Sequence, residues 1–223
     1  ALFSTYAVNA LQSKITTNFK KKFKINGAQC LSTGNLIFNN QDNCVGNNIL
    51  YAETNKDYFN YRSFGFQTFY EFLNNLNTLD QLAGKIEQKI YVKPHPNEFD
   101  AISYLKKKYK NLYFTKEKNN KLFKKIKITI SFSSSMIEDS LYSKIPVILY
   151  DVHKRYKHCE AEQNIYKKNC AIYYVNNINN LSKCIGTILK SNAVQFNKYV
   201  MSGDIDLNFN NTLKNLIFRK IEN

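Results

Sequence analysis

The chain has 223 residues, 43% of them hydrophobic and 14% aromatic, which is enough to bury the core of one good-sized domain. Lys and Arg number 32 against 17 Asp and Glu, a net charge of +15, which limits the partners to polyanions, anionic surfaces or phosphate-bearing substrates. No apolar run approaches the roughly 18–20 residues of a membrane-spanning helix, Ala1–Ala10 lacks the charged start of a signal peptide, and the odd set Cys30, Cys44, Cys159, Cys170 and Cys184 has neither CxxC spacing nor a disulfide framework. Free thiols in a reducing cytoplasm are expected, with no metal and no cofactor.

In chain order, Tyr6–Phe23 has the pattern of a helix ending in the basic run Lys20–Lys24. Gly27–Asn39 reads as a short strand, a turn at Thr33–Asn35 and a re-entry. Asn48–Thr54 is apolar and β-prone, a strand. Phe64–Leu82 places Phe66, Phe69, Tyr70, Leu73, Leu76 and Leu79 at helical spacing, with Gly84 as the C-terminal stop. Lys89–Val92 is a strand that must end at Pro94 and Pro96, because proline lacks an N–H and forces the preceding residue toward extended geometry.

Ala101–Tyr109 is predicted helical, Asn111–Thr115 a strand, Asn119–Lys125 a short helix or turn, and Ile126–Phe132 a strand. Ser133–Lys144 opens a helix, and Ile145–Asp151 is a continuous apolar run of the buried parallel-strand kind. Tyr156–Lys168 is predicted helical, Cys170–Val175 a strand, Leu181–Leu189 a helix, and Asn210–Lys220 a C-terminal helix. The alternation of strands and helices predicts an α/β fold, a doubly wound Rossmann-like parallel sheet. Residues 48–190 form that domain, 1–47 are an N-terminal extension, and 191–223 a helical tail.

In such sheets ligands bind beyond the carboxyl ends of the strands. Three exits are rich in chemistry. In Lys93–Glu98, His95 is clamped between two prolines beside Lys93, a preorganised donor for a departing phosphate oxygen. In Ser131–Asp139, Ser133, Ser134 and Ser135 stand where a helix begins, suited to a phosphate, with Glu138 and Asp139 one turn on. The plainer reading is an ordinary serine cap with acidic residues beside the helix dipole. In Tyr150–His158, Asp151, His153, Arg155 and His158 form a charged loop whose plainer reading is a solvated one. Glu53 and Thr54 sit at the first exit and line the same edge.

Taken in order, "KPHP", "SSSMIED" and "KIPVILYD" resemble the C-terminal, nucleotide-binding lobe of GT-B glycosyltransferases, nearest to the bacterial surface-carbohydrate enzymes of the capsule, lipopolysaccharide, sialyl- and Kdo-type, and to the CDP-glycerol glycerophosphotransferases. "STGNLIFN" resembles the segment that joins their two lobes. The resemblance covers about Leu31 to Leu189. It implies that His95 acts in catalysis and that Lys93, Ser133, Ser134, Ser135, Glu138 and Asp139 hold the donor nucleotide and its phosphate, Glu138 at the ribose. Glu53, Thr54, Asp151 and Arg155 would line the cleft.

It further implies metal-independent transfer from a nucleotide-sugar donor, of the CMP type, to a glycan or glycolipid acceptor. Because only about 47 residues precede the first strand, the chain is expected to hold one lobe. An alternative that the same motifs would serve, with a different chemistry, is a CDP-glycerol or ribitol-phosphate transferase. An alternative of another class is a basic module for nucleic acid or an anionic membrane, built on Lys20–Lys24, Lys106–Lys110 and Lys116–Lys127. The preference for Lys over Arg weighs against nucleic acid, since base readout leans on bidentate Arg. A cytoplasmic protein, peripheral on the inner face of the membrane, accommodates both the lysines and the transferase motifs.

Overall fold

The computed structural model describes residues 46–53, 69–94, 102–154, 158–191, 194–196 and 199. The elements expected at Tyr6–Phe23, Gly27–Asn39 and Asn210–Lys220 lie outside these. Within them the chain forms six parallel strands: β1 Asn48–Ala52, β2 Ile90–Lys93, β3 Leu112–Phe114, β4 Ile126–Ser131, β5 Val147–Tyr150 and β6 Ile172–Val175. The helices are α1 Phe69–Ala83, α2 Ile102–Lys108, α3 Asn119–Leu122 with a 3-10 turn Phe123–Lys125, α4 Met136–Tyr142 and α5 Ile178–Leu189. The strand order is 3-2-1-4-5-6.

That order fixes where the helices go. From β1 the chain winds outward to β2 and β3; from β4 it winds the other way to β5 and β6. Right-handed crossovers in opposite directions place their helices on opposite faces. Side chains alternate accordingly along each strand. Ile49, Tyr51, Ile90, Val92, Ile128, Ile130, Ile148 and Tyr150 point into one core with α1, α2 and α5. Leu50, Thr129, Val147 and Leu149 point to the other face, where α4 buries Met136, Ile137 and Leu141.

The α1 face is held by Phe72, Leu76, Leu79 and Leu82, spaced at helical intervals and buried. The sequence favoured a stripe through Leu73; the helix turns Leu73 to the flank and brings Phe72 in, where it stacks on Tyr51 with ring centroids 6.2 Å apart. Each such side chain contributes about 1.5–3 kcal/mol of apolar burial. On α5, Leu181, Cys184, Ile185 and Ile188 cover the same face. Burial there pushes the Cys184 thiol up to about 12, so it acts as a small core hydrophobe.

The expected helix at 156–168 is absent where described. Residues 158–170 run through turns and one parallel bridge between Glu162 and Tyr173. Glu162 explains this locally. Its carboxylate accepts from the N–H groups of Gln163 and Asn164, both at 3.0 Å, and pairs with Lys167 at 2.6 Å. These bonds close a turn rather than a helix. Ile165 is the buried apolar side chain of this segment.

Candidate nucleotide site at the carboxyl edge

Strands β1 and β4 lie side by side although the connections after them run in opposite directions, so the crevice of the topological switch opens beyond their ends. The Ser131 hydroxyl donates to the Ala52 carbonyl at 2.9 Å and ties the two ends together. Glu53, just past β1, is buried, and its N–H donates to the Lys93 carbonyl at 3.2 Å.

Past β4 come the three serines. The Ser133 hydroxyl lies 3.5 Å from His158 Nδ1, and His158 Nε2 lies 4.0 Å from Glu138 Oε1. An imidazole held between a serine and a carboxylate is oriented rather than free to spin. The Ser134 hydroxyl accepts from the Met136 N–H at 3.3 Å and starts α4. Ser135 is exposed, and its carbonyl accepts from the Asp139 N–H. Serine, imidazole and carboxylate thus share one rim, on the face that α4 covers. The sequence places His158 in the charged loop after β5, where a solvated loop and a functional role weigh equally. It joins this rim because His158, past the end of β5, comes beside Ser133, past the end of β4, and nothing in a local pattern carries that information.

Lys93 and Asp139 meet through a third residue. The Lys93 ammonium donates to the Glu117 carbonyl at 2.9 Å and to the Asn119 side-chain oxygen, while the Asn119 amide donates to Asp139 Oδ2 at 3.0 Å. Burial holds the Lys93 ammonium below the ordinary lysine range, partly offset by the carboxylates of Asp139 and Glu117. In this arrangement Lys93 reaches along the sheet to the start of α3. Asp151, at the end of β5, is buried, and the Tyr174 hydroxyl donates to its Oδ2 at 3.4 Å. His95, Thr54 and Arg155 lie outside the described residues.

On the opposite face, the same edge carries a crevice of about 340 Å³ between α1 and the loops after β4, β5 and β6. Phe132 and Tyr150, both almost wholly buried, are among the residues that line it. Glu71, Asn75 and Thr78 of α1 form one wall, and Asn176 and Asn177 at the start of α5 another. His153 Nε2 reaches across to Glu71 Oε1 at 3.4 Å, an ion pair when the imidazole is protonated. The sequence reading passed over this wall. Its signal is a row of polar residues, Glu71, Asn75 and Thr78, at helical spacing beside the buried stripe of α1.

Among the described residues no group of three or more His, Cys, Asp or Glu side chains is placed to hold a metal ion, and no helix is long and apolar enough to cross a membrane.

No family model matches the chain, and no curated protein matches it. Among solved structures, the crystal structure of TarM is similar, at 17% sequence identity and a TM-score of 0.44. The likeness covers 77% of this chain and 34% of TarM, so the chain spans about a third of TarM's length.

Proposed function

We propose that this domain is the nucleotide-binding lobe of a glycosyltransferase. The observation that carries the reading is the convergence of Ser133, Glu138 and His158 at the switch point of a 3-2-1-4-5-6 parallel sheet, next to the buried end of β1. Hydroxyl and imidazole donors in a half-buried rim suit a phosphate that gains charge as it leaves. In this reading Ser133–Ser135 and His158 hold the donor phosphate, and Glu138 orients His158 and reaches the ribose. His95, from the exit of β2, adds a further donor. An acceptor hydroxyl attacks the anomeric carbon and forms the new C–O bond, its proton passes to a base or to solvent, and the nucleotide phosphate departs with the pair of the broken C–O bond.

The donor is a nucleotide sugar, of the CMP type by the order of the motifs, and the acceptor a cell-surface glycan or glycolipid. The exposed lysines of α2 and of the loop after it, Lys106, Lys107, Lys108 and Lys110, suit docking on an anionic membrane. Calorimetric titration with CMP, CDP, UMP, UDP and GDP tests the reading on the wild-type chain and on His95→Ala and Ser133→Ala. Binding of one nucleotide, weakened at least tenfold in both variants, supports it. Binding that ignores both variants and vanishes with salt would leave a basic polyanion-binding module instead.

A further inference from the structure

The crevice beneath α1 has a chemistry unlike the rest of this molecule. In a chain of net charge +15, none of its described lining residues is Lys or Arg; its ionisable groups are Glu71 and His153, 3.4 Å apart. That lining does not suit a phosphate or a sugar acid. Its other polar groups are amides and hydroxyls.

Tyr150 makes the case specific. It is 4% exposed, lines the crevice, and its hydroxyl has no hydrogen-bond partner among the described residues. Among these residues no fully sealed side-chain oxygen or nitrogen lacks a partner, so the Tyr150 hydroxyl is not fully sealed, and the crevice is the volume that this residue lines. Burial pushes its pKa up, so it stays protonated and able to donate. A buried phenol with its hydroxyl left to a cavity is what a ligand oxygen would complete. Asn74 and Thr78 on the α1 wall likewise have uncommitted side chains among the described residues, whereas Asn75 donates to the Tyr51 hydroxyl at 3.0 Å and Asn177 caps α5 by accepting from the Asn180 N–H at 2.8 Å.

We propose that this crevice binds a neutral pyranose, with Tyr150, Asn74 and Thr78 addressing its hydroxyls, the exposed Val152 and Ile178 side chains packing on its apolar face, and Glu71 accepting from a further hydroxyl. Apolar side chains beside amide and carboxylate walls match the alternating C–H faces and O–H edges of a sugar. The ligand class deepens the transferase reading and rests on it; the crevice itself does not. Phe132 lines the crevice and Ser133 follows it in sequence, so a sugar here and a phosphate at the serines occupy adjoining parts of one edge. The sugar belongs either to the acceptor or to a donor with a neutral sugar, and the second case would replace the CMP-type assignment, whose sialyl and Kdo sugars are acids.

Saturation-transfer NMR on the full chain decides it, with methyl glucoside, methyl galactoside and methyl N-acetylglucosaminide at millimolar concentration, and N-acetylneuraminate, cytidine and inorganic phosphate as comparisons. At least one neutral glycoside should bind. Tyr150→Phe should weaken it about fivefold, the effect of one lost hydrogen bond, with the melting temperature unchanged because no protein partner is lost. Asn74→Phe, which fills the crevice from an exposed helix position, should abolish it. Displacement of the glycoside by an intact nucleotide sugar assigns the crevice to the donor; simultaneous binding assigns it to the acceptor.

Three outcomes overturn the proposal: no glycoside binding, preferential capture of the acid, phosphate or cytidine at the position Asn74→Phe blocks, or a melting temperature that falls in Tyr150→Phe. If glycosides fail while nucleotides still bind in a Ser133-dependent way, the crevice proposal alone falls. If nucleotides fail as well, the transferase reading falls with it.

Discussion

Ser131→Ala removes one oxygen from the place where the two halves of the sheet meet. The hydroxyl is fully buried and donates at 2.9 Å to the carbonyl of Ala52, which is itself 1% exposed. A buried hydrogen bond of this kind contributes about 1 kcal/mol net, and a carbonyl cut off from water adds part of its desolvation cost when its donor goes. The expected loss is about 1–2 kcal/mol. At about 2–4 °C per kcal/mol for a chain of this size, the melting temperature should fall by roughly 2–8 °C. Differential scanning calorimetry of Ser131→Ala beside the exposed control Ser135→Ala reads this directly. The control should stay within about 0.5 kcal/mol of wild type. If both variants melt together with wild type, the bond between β1 and β4 does not hold the switch point, and the reasoning is refuted.

Lys93 should leave a signature in alkali. Its folded-state pKa lies below the ordinary value of 10.5, so the unfolded chain binds more protons across that window and stability rises as pH climbs through it. Lys93→Met should lack that rise, checked by urea midpoints at neutral and alkaline pH. Leu76→Ala, in the fully buried stripe of α1, should cost about 2–5 kcal/mol by the same assay, and a smaller loss would mean that α1 is loosely packed. Gly46→Ala would put a methyl carbon 2.0 Å from the Lys125 carbonyl carbon, at the entry to β1. Backbone must move there, with an expected loss of about 1–3 kcal/mol. Replacing Lys106, Lys107 and Lys108 by Gln should weaken sedimentation with phosphatidylserine vesicles about fivefold per charge, and an unchanged affinity would remove this surface from the membrane account.

The sheet was legible because buried parallel strands announce themselves as short apolar runs, and five of the six lie within the ranges read from sequence, with β2 shifted by one residue past its expected end. The turn after Cys159 was not, since a carboxylate that closes a turn on its own N–H groups looks like a helix-compatible glutamate in sequence. At the site, the serines were visible as a local cluster at a strand exit. Their contact with His158 was not, because it joins positions 25 residues apart through the path of a loop. Nor was the crevice, because it needs one wall from α1 and another from the start of α5, about a hundred residues on. Lys93 was placed by sequence at the right strand end, but its direction depends on Asn119, whose role no spacing rule reveals.

The most direct measurement is amide chemical-shift mapping of the 15N-labelled chain during titration with CMP and UDP. The account expects the largest shifts at Ser133, Ser134, Ser135 and Glu138, with Glu53 and His158 following at the same concentration. Shifts confined to Lys106–Lys110, or none at the serine rim while nucleotide binds, would contradict it.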